Sequence, residues 1–128
     1  MPPLPPIPST FSHAVATRVL TVVRDGQATE LRIDIGQPLQ DVPTVTGLDW
    51  RCPVRWDEGG RMHVRSVCGI DGFQSLQLAF DTIRHELAAM AAVDGVSLRF
   101  LDCTLDPETL LPKAGEPPGA GGSMPPSA

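Results

Sequence analysis

From Phe73 onward the apolar residues of this 128-residue chain change their spacing. Phe73, Leu76, Phe80, Ile83, Leu87 and Met90 recur at alternating intervals of three and four, which draws one apolar stripe along a helix of about five turns. Gln77, Asp81, Arg84, His85 and Ala88 fall on the opposite, wet side. A helix of this kind must bury its stripe against another layer, and the preceding sequence supplies one. Asp71 is suited to cap the helix, and Gln74 three residues on completes a capping-box pattern. Asp94-Gly95 is expected to stop it, with Gly95 in the left-handed position after the last turn.

Before Asp71 the period is two. His13 to Val23 is rich in β-branched residues and reads as a first strand. Asp25-Gly26 then gives a hairpin signal, because glycine tolerates the positive φ such turns need. In the second strand Leu31, Ile33 and Ile35 alternate with Glu30, Arg32 and Asp34. Gly36 and Pro38 end it, and Gln37 to Leu48 reads as a loop. Asp49 to Asp57 alternates again, with Pro53 marking either an edge strand or a bulge. Arg61 to Cys68 is the fourth strand, entered through Glu58-Gly59-Gly60. A two-residue loop there sets Trp56 opposite His63 and makes the apolar faces disagree. A three-residue loop with a glycine bulge aligns Trp50, Cys52, Val54 and Trp56 with Met62, Val64 and Cys68, so the bulged turn is expected. Val96 to Leu101 is available for a short final strand.

The ends are of a different composition. Residues 1–12 (MPPLPPIPSTFS) and 104–128 are dense in Pro and Gly and hold little apolar surface to offset the entropy of ordering, so they read as disordered tails around a single domain at 13–103. The PPLPPIP opening has the form of a polyproline II ligand, although a solvated tail is its simpler reading. With 15 acidic and 10 basic residues the chain is acidic, which argues against nucleic acid and anionic membrane as partners. No segment reaches the ~20 apolar residues of a membrane span, and no secretory leader pattern opens the chain. Three cysteines without CxxC spacing fit the same cytoplasmic expectation. Nine arginines to one lysine, with no asparagine, fit a GC-rich bacterial coding bias.

Few side chains suggest chemistry. Cys52, His63, Cys68, His85 and Cys103 come singly, without the close pairs typical of zinc sites, and neither a metal nor a cofactor is expected. Cys52 and Cys68 read as small core hydrophobes. His85, with Asp81 one turn before it, could serve a hydrolase or thiol-redox enzyme using Cys52 or Cys68, but such a pair is ordinary on an exposed helix. Gly69 to Gly72 precedes a helix N-terminus, yet Asp71 occupies the anion's place. The alternation projects Arg32, Arg51, Arg55, His63 and Arg65 onto one outer sheet face, balanced by Asp34 and Asp57. Guanidinium groups suit carboxylate recognition, so this face is the candidate binding surface for a protein with an acidic surface.

The runs DWRCPVRW and GIDGFQSLQLAFDTIRHEL resemble a family of short bacterial proteins classed as a domain of unknown function. The matching residues are Trp50, Cys52, Pro53, Gly69, Asp71, Gln74, Leu76, Leu78 and Ala79, and the likeness spans Ala16 to Leu101. It implies one compact unit of four strands followed by a helix and brings no activity, cofactor or catalytic residue.

The expected fold is therefore α+β: a four-stranded antiparallel meander with one long amphipathic helix on its apolar face. Leu31, Ile33, Val54, Trp56, Val64, Phe73, Leu76, Phe80, Ile83 and Leu87 are its expected core. The expected function is a small protein-binding module acting through the outer face or an edge strand, as monomer or homodimer. An immunity-type inhibitor of a toxin is one form of it, and an enzyme using Cys52, Cys68 or His85 is the alternative.

Overall fold

The structure, a computed structural model, describes residues 3–115. It is mostly sheet: eight antiparallel strands and one helix, which overturns the expected α+β four-stranded meander. The strands are β1 (Ala14–Arg24), β2 (Gln27–Gly36), β3 (Leu39–Pro43), β4 (Leu48–Glu58), β5 (Arg61–Gly69), β6 (Val96–Phe100), β7 (Cys103–Asp106) and β8 (Leu111–Pro112), with α1 (Gly72–Ala91) between β5 and β6. The four expected strands are present as β1, β2, β4 and β5. β3 arises in the segment read as a loop, because pairing with β4 (Val42 opposite Asp49, Pro43 opposite Leu48) outweighs Pro43 at its end and Pro38 just before it. β6 pairs with β1, and β7 and β8 continue from it in antiparallel order. Thr104 to Pro112, assigned to a tail from composition, thus contributes strand. The remainder of that assignment, 116–128, lies outside the described residues.

The chain divides into two compact units. One takes the residues up to Arg18 together with Arg32–Thr82, and its buried apolar side chains are Ile33, Ile35, Val42, Cys52, Val54 and Ala79. The other takes Val19–Leu31 and the chain from Ile83 on, around Leu20, Val22, Leu31, Ile83, Leu87, Leu98, Cys103 and Leu105. Of the expected core, Leu31, Ile33, Val54, Ile83 and Leu87 are buried, while Trp56, Val64, Leu76 and Phe80 are half-buried. Phe73 is 73% exposed. The buried stripe of α1 is instead Ser75, Ala79, Ile83 and Leu87, and small residues fill its first half because backbone approaches there.

The two glycine-bearing hairpin turns expected from the sequence have two residues each, as does Leu101-Asp102 between β6 and β7. Asp25 and Gly26 have φ of 50° and 84°, the double positive φ of a type I′ turn. Gly59 and Gly60 (60° and 90°) do the same, and the register Glu58–Arg61, Trp56–His63 rules out the expected bulge. A bulge would follow only if β4 had one dry face. Arg51, Cys52, Pro53 and Val54 are all buried, so that face rule does not hold there.

At the start of α1, Asp71 Oδ1 accepts the Gln74 N–H (2.7 Å), as a cap should. Gln74 Oε1 accepts from the N–H of Ile70 (2.8 Å), one residue before the cap. The helix ends at Ala91 and not at Asp94, and the left-handed Gly95 (φ 81°) closes a following turn whose carbonyl accepts the Asp25 N–H (2.8 Å).

Candidate functional site

β4 organises the first unit. It pairs with β5 from Trp50 to Glu58, so β3 and β2 must share its other edge, one after the other. Pro53 lies against Gly36 at the end of β2 and opposite Ser66 in a pair whose β4–β5 bonds do not use its missing N–H. β4 is therefore an interior strand.

Directly opposed residues of an antiparallel pair share a face. The register puts His63 opposite Trp56 and Arg65 opposite Val54, while Val64 faces Arg55 and Ser66 faces Pro53. Arg32, Arg51 and Arg55 thus lie on one face, and His63 and Arg65 on the other, where His63 stacks on Trp56 (centroids 6.4 Å apart). The five residues do not form a single cationic surface.

The three arginines that do share a face are engaged inside the unit. Arg51 is 0% exposed. Its Nε and Nη2 hold both oxygens of Asp41 (2.7 and 3.0 Å), a fork that a planar guanidinium fits well. Nη1 donates to the Thr10 carbonyl (2.9 Å) and to Ser66 Oγ (3.1 Å), and Nη2 also donates to Thr10 Oγ1 (2.9 Å). These five bonds match the five N–H groups of the side chain.

Asp34, 1% exposed, is the second charge centre. Its Oδ2 accepts from Arg55 Nε (2.9 Å), and its Oδ1 from Arg32 Nε (3.2 Å) and Thr17 Oγ1 (2.5 Å). Burial alone would raise this carboxyl's pKa. The hydrogen bonds from Thr17, Arg55 and Arg32, with the charge of Arg32, outweigh it and hold the group below its ordinary 3.8. A depressed folded-state pKa means that the stabilisation is present above the unfolded value and is lost as pH falls through the folded one. Asp34→Asn is expected to cost about 1–2 kcal/mol at pH 7, discounted because Arg32 and Arg55 reach water. The gap from wild type should narrow below pH 4, as measured by urea unfolding across pH 2–7, and a gap independent of pH would show that the charge contributes nothing.

The segment read as an N-terminal tail covers these arginines. Phe11 lies under the Arg55 guanidinium (4.2 Å to the ring centroid) and against Gly36, Thr10 binds Arg51, and the Pro8 carbonyl accepts from Ser66 Oγ (2.8 Å). The strap so formed crosses β2, β4 and β5 in turn. A Cβ on Gly36 would stand 2.9 Å from the Phe11 ring, so the glycine makes room for it. Thr10, Phe11, Gly36, Asp41 and Ser66 had no functional signal in the sequence, and their partners lie up to 58 residues away along the chain.

Cys52 and Cys68 fall on opposite faces of the β4–β5 pair. Cys52 is buried, donates to the Gly36 carbonyl (3.4 Å), and is pushed up to about 11 by burial. That thiol is a hydrogen-bond donor in the core, unsuited to act as a thiolate nucleophile. Cys103 is also buried, Cys68 is half-buried, and His85 is exposed on α1. Among the described residues no group of three or more His, Cys, Asp or Glu is placed to hold a metal, and no helix is long and apolar enough to cross a membrane.

Residues 16–106 match the family described as a domain of unknown function, DUF6968. The chain belongs to this family. The match starts after the strap and runs to the end of β7, so Asp34, Asp41, Arg51, Arg55 and Ser66 belong to the DUF6968 domain while Pro8, Thr10 and Phe11 precede it. No curated protein and no solved structure is significantly similar to the chain.

Proposed function

We propose that this DUF6968 protein is a small protein-binding module that takes its partner as an extended strand along the outer edge of β5. The observation that carries this reading is the edge itself: nine residues that pair with β4 alone among the described strands. With a two-residue loop, Glu58 and Arg61 form the hydrogen-bonded pair next to the turn, and the pattern alternates from there. Met62, Val64, Ser66 and Cys68 then direct N–H and C=O away from β4, the arrangement used in strand addition. Arg61, His63 and Arg65 are exposed along the same strand, on a chain of net charge −5, and favour an acidic segment as the added strand. Three free cysteines support a cytoplasmic setting, and the arginine bias a bacterial one.

Val64→Pro separates the edge from the fold, because it deletes an outward N–H that the β4 ladder does not use. The variant is expected to remain folded and to lose the partner captured by wild type from host lysate. Binding should also slow hydrogen exchange at Val64 and Ser66 in the wild-type complex. Equal capture by both proteins, or no protection at these amides, would remove β5 as the binding edge.

A further inference from the structure

The covered face has the features of a peptide-binding groove that is already filled. Its floor is Arg51 and Ser66, one flank is Arg55, and the recess at Gly36 receives an aromatic ring. What occupies it is four residues of extended chain, read at three of them. The first, Pro8, gives its carbonyl to Ser66 Oγ. The third, Thr10, gives both its carbonyl and its hydroxyl to Arg51. The fourth, Phe11, places its ring against the Arg55 guanidinium. Apart from Gln37 N–H to the His13 carbonyl (3.4 Å), the strap is held by side chains and not by a strand ladder, and Pro3 to Ile7 before it are exposed. Such a segment can lift without dismantling the sheet beneath.

We infer that this groove is a peptide-recognition site, separate from the β5 edge, with the strap as its built-in competitor. Its ligand in trans is an extended segment of another protein carrying Ser or Thr followed by an aromatic residue, with a free carbonyl two residues before the hydroxyl. The hydroxyl matters because one of the two N–H groups of Arg51 Nη2, the other being held by Asp41, would otherwise lack an acceptor in a buried place. The ring matters because Gly36, lacking a Cβ, leaves room for it and the Arg55 guanidinium lies over its face. A second copy's strap is the poorer occupant. It would make the same bonds as the intramolecular strap while forgoing the roughly millimolar effective concentration that tethering gives. A different protein displaces the strap by adding contacts beyond these four residues.

The test uses the full chain with its own strap weakened, Thr10→Ala/Phe11→Ala, and a fluorescent peptide of the sequence Pro5–His13 as probe. The opened chain should bind the peptide saturably and gain thermal stability from it. Peptides with the threonine or the phenylalanine replaced by alanine should bind at least tenfold more weakly. Wild-type protein, its groove occupied, should bind the parent peptide at least tenfold more weakly than the opened chain. If the opened chain is unfolded alone, the parent peptide should restore its folded far-UV signal and the alanine peptides should not. Absence of binding or rescue, or equal binding of the alanine peptides, overturns the groove. Concentration-dependent dimerisation of wild type that is abolished by Phe11→Ala overturns the choice of partner, assigning the groove to a second copy.

Discussion

Asp41→Ala is expected to destabilise the protein by about 3 kcal/mol, and Arg51→Met by only about 1 kcal/mol, although each removes one half of the same ion pair. The asymmetry follows from which partner can return to water. Arg51 is 0% exposed and the Asp41 side chain 38%. Losing Asp41 leaves a buried guanidinium whose Nε–H has no acceptor and whose charge has no counterion. Losing Arg51 leaves a carboxylate that hydrates, an exposed Thr10, and a Ser66 hydroxyl still bonded to Pro8, while methionine replaces much of the arginine stem. Urea unfolding of the two variants and of the double variant decides this. Equal losses, or a larger loss for Arg51→Met, would mean that the guanidinium is not held dry by the strap. If the strap lifts in Asp41→Ala, its release should also lower the denaturant slope.

The same residue shows where sequence reading ran out. Arg51 alternates with Trp50 and Cys52, so period two alone assigns it to a wet face, and arginine chemistry agrees. It is buried by a segment 41 residues earlier whose composition is that of a tail. Nothing local to either stretch indicates the contact. The features decided within a few residues were legible: the Asp25-Gly26 turn, the apolar face of β2 (Leu31, Ile33 and Ile35, although Asp34 on its other face is buried too), and the Asp71 cap. β3 was hidden because Pro38 and Pro43 spoil its intrinsic signal and only its register with β4 makes it a strand. The turn at Gly59-Gly60 failed for an instructive reason. Two glycines in sequence already admit two positive φ values, and matching of apolar faces does not override them because β4 is buried on both sides. Propagated along β5, this one-residue shift of register moves His63 and Arg65 to the far side of the sheet. That is how a cationic surface of five residues became two buried or paired centres and an edge.

The cost of reaching such close register is concentrated at Gly69, and Gly69→Ala is the second substitution expected to have a large effect. A Cβ there would stand 2.6 Å from the Ser75 backbone nitrogen and 2.9 Å from its Cα. Both are main-chain atoms in the first turn of α1, so no side-chain rotation relieves the clash, and either β5 or the helix start must move. The Asp71 and Gln74 caps lie in that same turn, and a shift large enough to admit a methyl group strains both bonds. Overpacking of this kind costs about 3 kcal/mol, at the upper end of its usual range because backbone must move. Gly60→Ala provides the contrast. It sits at φ 90° with nothing within 4 Å of the added carbon, so only its backbone conformation is penalised, by about 1 kcal/mol. Thermal unfolding of the two variants should separate them clearly, with Gly69→Ala the less stable and its helix start losing amide protection first. If Gly69→Ala proved as mild as Gly60→Ala, the close packing of β5 against the first turn of α1 would not exist in solution. The placement of Ser75 and Ala79 on the buried stripe, where the sequence had put Phe73 and Leu76, would then need another cause.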